Sequence, residues 1–128
     1  MMAYPEDMRP HVGDVVRTNG EEREVVSVGK SYVNFEQRPG EDKWEQRTAQ
    51  EEDVELVARP GLPACERYAS GEVPEPHDKI RSVTNSKDVM ARVIFVQKNG
   101  YMHVNYRRSG MMMVRKANRY VLLQRTAN

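Results

Sequence analysis

Val25-Val26-Ser27-Val28-Gly29-Lys30-Ser31-Tyr32-Val33-Asn34-Phe35 is the stretch that decides the fold class. A valine-rich run, a glycine-bearing turn and a second run that alternates apolar with polar read as two antiparallel β-strands. The plan returns further along as Val93-Ile94-Phe95-Val96, a turn carrying Lys98 and a glycine, and a run from Tyr101 through Val104-Asn105-Tyr106. The pattern Val-Asn-aromatic occurs in both copies. Each is followed by an arginine and then by Gly40 or Gly110.

Working outward, the copies also begin alike. Asp14-Val15-Val16-Arg17 matches Asp78-Lys79-Ile80-Arg81, each a short strand leading to a polar turn at Asn19-Gly20 or Asn85-Ser86. A fourth strand is predicted over Lys43-Trp44-Glu45-Gln46-Arg47 and over Met112-Met113-Val114-Arg115-Lys116, and a closing segment over Val54-Glu55-Leu56-Val57 and Val121-Leu122-Leu123. Between the copies, Pro60, Gly61, Pro63, Gly71, Pro74 and Pro76 form a density of breakers that neither helix nor strand tolerates. Tyr68 is the residue that would pin this segment to a barrel. The expected organisation is an acidic module at 11–58, a Pro/Gly-rich linker at 59–77 and a basic module at 78–124.

Five short strands per copy, with glycine turns between them, predict an all-β chain of two related small five-stranded barrels, since closure hides sheet edges. No segment sustains helical apolar spacing over about 11 residues, so no helix longer than about three turns is expected. Val25, Val33, Phe35 and Leu56 should share one core, and Val93, Val104, Tyr106 and Leu122 another or its continuation. A single α+β or all-β domain with a coincidental repeat is the alternative. The opening Gly13-Asp14-Val15-Val16 resembles the first strand of Src-homology-type (SH3-like) small barrels, particularly Tudor-like and KOW-like modules. That resemblance implies a tandem-repeat binding protein. The second copy lacks the glycine before its opening aspartate.

The net charge of +1 conceals an asymmetry. Residues 1–60 hold 14 Asp/Glu and 8 Lys/Arg, a net of −6, and residues 61–78 hold 4 and 1, a net of −3. Residues 79–128 hold 11 Lys/Arg against Asp88 alone, a net of +10. A basic half beside an acidic one points to nucleic acid as the partner of the basic half, or to its docking on the acidic half. Apolar runs are too short for a membrane helix, and the first ten residues lack the apolar stretch of a signal peptide. The single cysteine, Cys65, has no internal partner and suits a reducing cytoplasm.

In the third strand of the basic module, alternation turns Met102, Val104 and Tyr106 inward and Tyr101, His103, Asn105 and Arg107 outward. An aromatic, hydrogen-bonding groups and a cation in one row are what single-stranded RNA or DNA surfaces use. Lys98, Arg108, Arg115, Lys116 and Arg119 lie on adjacent turns and strands as phosphate contacts. The alternative is an ordinary solvated β face. In the acidic module the outward row is Tyr32, Asn34 and Glu36, where phosphate is repelled. Trp44 is expected as half-buried packing or as the lining of a groove, and Met111, Met112 and Met113 as core filling or an adaptable surface for a protein partner. His11, His77 and His103 lack metal-ligand spacing, and neither a phosphate loop nor a nucleophile motif occurs. The expected function is non-enzymatic capture of nucleic acid, without metal or cofactor. The rival is a protein-interaction module, such as a small phage-like regulator that binds and inhibits a host protein.

Overall fold

Runs of β-branched residues cut by short turns form ten strands in the computed structural model, which describes residues 4–5, 8–83, 90–107 and 109–125. The first half contains β1 (Val15–Thr18), β2 (Glu21–Val28), β3 (Tyr32–Phe35), β4 (Thr48–Gln50) and β5 (Glu55–Ala58). The second contains β6 (Lys79–Ser82), β7 (Met90–Gln97), β8 (Tyr101–Tyr106), β9 (Met112–Lys116) and β10 (Tyr120–Gln124). Helical structure among the described residues is confined to 3₁₀ turns of three or four residues. Among the described residues no helix is long and apolar enough to cross a membrane. The chain is thus mostly β, as its alternation predicts.

The two halves repeat one strand order, β5-β1-β2-β3-β4 and β10-β6-β7-β8-β9. β2 and β7 carry the same irregularity, between Val25 and Ser27 and between Val93 and Phe95. The ladder is open, with β4 and β5 each paired to one strand. The halves are joined where β2 pairs with β7 in antiparallel register, Ser27 opposite Gln97 and Val28 opposite Val96. Val28 therefore faces its own counterpart, which makes this seam an approximate two-fold axis. His11 and Glu75, also counterparts, meet near it at 2.7 Å. Burial pushes the Glu75 carboxyl up, but the His11 hydrogen bond and the Arg125 charge outweigh it, holding that carboxyl below its usual range.

Each half opens on a buried carboxylate. Asp14 accepts hydrogen bonds from the Tyr4 hydroxyl at 2.7 Å, the His11 backbone N–H at 2.9 Å and the Arg59 guanidinium at 2.9 Å. Asp78 accepts the same set from Tyr68 at 2.7 Å, the Glu75 N–H at 2.9 Å and Arg125 at 2.9 and 3.0 Å. Gly13 precedes the first carboxylate with φ +93°, and His77 takes the same left-handed backbone at φ +75°. The missing glycine is thus replaced by a histidine that accepts the conformation. Segment 59–77 contributes Arg59, Tyr68 and Glu75 to these clusters, so it is bound to both halves.

Val25, Val33, Phe35, Val93 and Val104 are buried, and Leu56, Tyr106 and Leu122 pack against them, all in one continuous cluster. Two readings need correction. The third strands correspond as Tyr32-Val33-Asn34-Phe35 with Tyr101-Met102-His103-Val104, because Val33 pairs with Val28 as Met102 pairs with Val96. The shared Val-Asn-aromatic pattern is two residues out of step, a slip that preserves which face each side chain occupies. The fourth strand of the first half begins at Thr48, since Trp44–Arg47 is a 3₁₀ turn in which the Gln46 side chain accepts from the Lys43 N–H. Asn85-Ser86 lies outside the described residues.

Burial, followed by the hydrogen bond and the charge of Asp14, raises the Tyr4 phenol. Burial, followed by the Asp78 charge and hydrogen bond, raises that of Tyr68. The folded chain then holds these protons after the unfolded chain has released them, so their stabilisation is complete below the unfolded phenol value of about 10 and is lost as pH rises above it. Urea midpoints should fall progressively above about pH 10, and less steeply in Tyr68→Phe. Equal slopes in the two proteins would contradict the burial of this phenol.

Candidate nucleic-acid interface

Because strands β4, β3, β2, β7, β8 and β9 are neighbours in that order, their outward side chains form one face about 24 Å across. Registers identify its members. Thr48 lies opposite Asn34, Asn34 opposite Ser27, and Ser27 opposite Gln97 across the seam. In the second half Phe95 lies opposite His103, His103 opposite Val114, and Tyr101 opposite Lys116. Lys79, Arg92, Asn105 and Met112 form a parallel row from β6 to β9.

Rings cross the seam. Tyr32 lies 6.2 Å from Phe95, and Phe95 meets His103 edge-on at 5.2 Å between centroids. Tyr101, 41% exposed, has the Lys116 ammonium 5.3 Å from its ring centre. A groove of about 420 Å³ opens beside Asn105, lined also by Lys79, Arg92 and Arg107. Its origin is a difference between the halves. Arg23, the counterpart of Ala91, is buried in the first half and spans to Glu41 at 2.7 and 2.8 Å, to two backbone carbonyls, and over the Phe35 ring. Ala91 is too small to fill that volume.

The sequence candidates are not all gathered on this face. Tyr101, His103, Asn105 and Lys116 lie on it, exposed Arg107 borders its groove, and Lys98 sits at the seam 4.0 Å from Glu36. Arg115 does not join them. It pairs with Met102, so its side chain takes the opposite face, where Nε donates to the Tyr106 hydroxyl at 3.2 Å and that hydroxyl meets Tyr120 at 2.6 Å. Arg119 ends a 3₁₀ turn before β10, where its carbonyl accepts from the Val83 N–H at 3.0 Å, and Arg108 lies outside the described residues. Met112 belongs to the outer face, Met111 is exposed in the preceding turn, and Met113 is half-buried beside Arg115. Trp44 is 64% exposed, so it is not half-buried packing. It borders a second groove, of about 600 Å³, at the β3–β4 end of the face.

Nothing local in the sequence marks Phe95, Tyr32, Arg92 or Lys79 as partners of Tyr101. Their proximity follows from the β2–β7 pairing. The available signal was parity, which puts Arg92 with Asn105 once the irregularity at Ile94 is recognised. Among the described residues no three His, Cys, Asp or Glu side chains converge to hold a metal ion. No protein-family model, curated protein or solved structure matches this chain.

Proposed function

We propose that the chain is a non-enzymatic binding protein of two tandem Src-homology-type small barrels, whose basic second half captures single-stranded nucleic acid. The observation that carries this reading is the ring row Tyr32–Phe95–His103 on one continuous face, with Tyr101 and Lys116 beyond it and Arg92, Lys79 and Arg107 beside it. Flat aromatic surfaces accept any base, and cations beside them neutralise phosphates, which gives affinity with little sequence preference. Duplicated strand order and a shared carboxylate cluster support the tandem-barrel part. The mechanism is capture without turnover.

Fluorescence anisotropy of a labelled single-stranded oligonucleotide titrated with the full chain tests the reading at low salt. Tyr101→Ala should weaken binding by about 1–3 kcal/mol through lost stacking, leaving the salt dependence nearly unchanged. Absence of binding by the unaltered chain would refute it. The exposure of Met111, Met112 and Val114 on one edge favours a second reading, a protein partner docked on an adaptable thioether surface. A pull-down that survives nuclease treatment and is abolished by Met112→Glu would favour that partner.

A further inference from the structure

We propose that the groove beside Trp44 is a nucleobase pocket, seating one unpaired base of the strand that the neighbouring face captures. This rests on the nucleic-acid reading above and extends it into the acidic half. The groove holds about 600 Å³ and is lined by Tyr32, Asn34, Trp44, Arg47 and Gln50 among others, with no acidic side chain among the described residues of its lining.

Four features point to a base. Trp44 presents an exposed ring from a pinned turn, since the Gln46 side chain accepts from the Lys43 N–H at 3.1 Å and Arg23 donates to the Gln46 carbonyl at 2.9 Å. An exposed indole held this way is a preformed stacking surface. Asn34 and Gln50 supply side-chain amides, which carry both donors and an acceptor and match the edge of a base; Asn34 spends one donor on the Ser27 hydroxyl. Arg47 donates from one terminal nitrogen to Gln37 at 3.2 Å, while its Nε is buried with no hydrogen-bond partner among the described residues. An incoming acceptor that draws the guanidinium toward the groove would satisfy it. Finally, Tyr32 belongs both to the groove and to the ring row that crosses to Phe95, so the pocket continues the basic face. Glu45 and Asp42 nearby repel phosphate, which directs the base inward and its backbone toward the second half.

Trp44 is the sole tryptophan, so its fluorescence reports on this groove. The full chain is titrated with a single-stranded oligonucleotide, with a strand of the same length made only of abasic sites, and with a proline-rich decapeptide, while anisotropy follows binding independently. The expected result is quenching by the oligonucleotide, binding without quenching by the abasic strand, and an affinity loss of about tenfold in Trp44→Leu with an unchanged salt slope. Binding of the base-bearing oligonucleotide without quenching, or unchanged affinity in Trp44→Leu, overturns the pocket and leaves the basic face in place. Quenching by the peptide alone overturns it in favour of a protein ligand. No anisotropy change with any strand overturns both the pocket and the nucleic-acid reading.

Discussion

Asp78→Ala should lower the free energy of unfolding by about 2–5 kcal/mol, a large part of the roughly 5–15 kcal/mol that a domain possesses. The Asp78 carboxylate is fully buried, and its removal leaves the Tyr68 hydroxyl and the Glu75 N–H without this acceptor and takes two hydrogen bonds from Arg125, which keeps the Val73 carbonyl at 2.6 Å and the Glu75 carboxylate at 3.1 Å. Buried donors left unsatisfied, at about 1–3 kcal/mol each, are the dominant penalty, with the loss of one of the two carboxylates facing Arg125 added to it. Asp14→Ala should act similarly through Tyr4, His11 and Arg59. Removing Arg125 together with Asp78 should cost less than the sum of the single changes, because both single changes lose the same two hydrogen bonds between them. Urea denaturation followed by circular dichroism reads all four variants. A loss below about 1 kcal/mol for Asp78→Ala would mean that the cluster decorates the fold instead of holding it. Since one hydrophobic cluster spans both halves, each aspartate variant should shift a single transition.

These clusters show where the sequence is legible and where it is not. Strand type and face were readable because Tyr32–Phe35 and Tyr101–Tyr106 alternate cleanly, and a strand's period of two survives even a misjudged correspondence of two residues. The opening aspartates were readable as counterparts. Their ligands were less so: Tyr68 and Glu75 stand in a segment whose prolines read as a linker, although Tyr4 and Tyr68 both precede their aspartate by ten residues. A proline-rich path can still be ordered when side chains and neighbouring N–H groups find partners, as the Glu75 N–H does on Asp78. Trp44 was readable as the lining of a groove, but its 3₁₀ turn was not, because that turn is held by Gln46 and Arg23, contacts that strand alternation does not encode. The seam was illegible for another reason. Val28 and Val96 look like any core valines, and pairing between two strand edges depends on how both halves place them.

The second large effect concerns the cations. Five of them, Lys79, Arg92, Lys98, Arg107 and Lys116, lie on or beside the outer face, and Lys98 has Glu36 of the first half within 4.0 Å. Five phosphate contacts by these side chains would give a salt slope of about −3.5 on a double-logarithmic plot, so binding of a single strand should weaken about hundredfold between about 50 and 200 mM salt. Replacing Arg92, Arg107 and Lys116 by alanine should reduce the slope by about 2, leaving only about a sevenfold loss over the same range. Arg115→Ala carries the same change in net charge, yet its side chain is bonded to Tyr106 on the opposite face, so the slope should stay as it was. Charge counting alone makes every arginine equivalent; the strand register does not. Anisotropy titrations across salt with these variants separate the two accounts. An equal drop in slope for Arg115→Ala and for Arg107→Ala would mean that phosphates follow the overall field of the basic half instead of this face. A flat salt dependence in the unaltered chain would remove phosphate contact altogether and leave the exposed methionine edge as the binding surface.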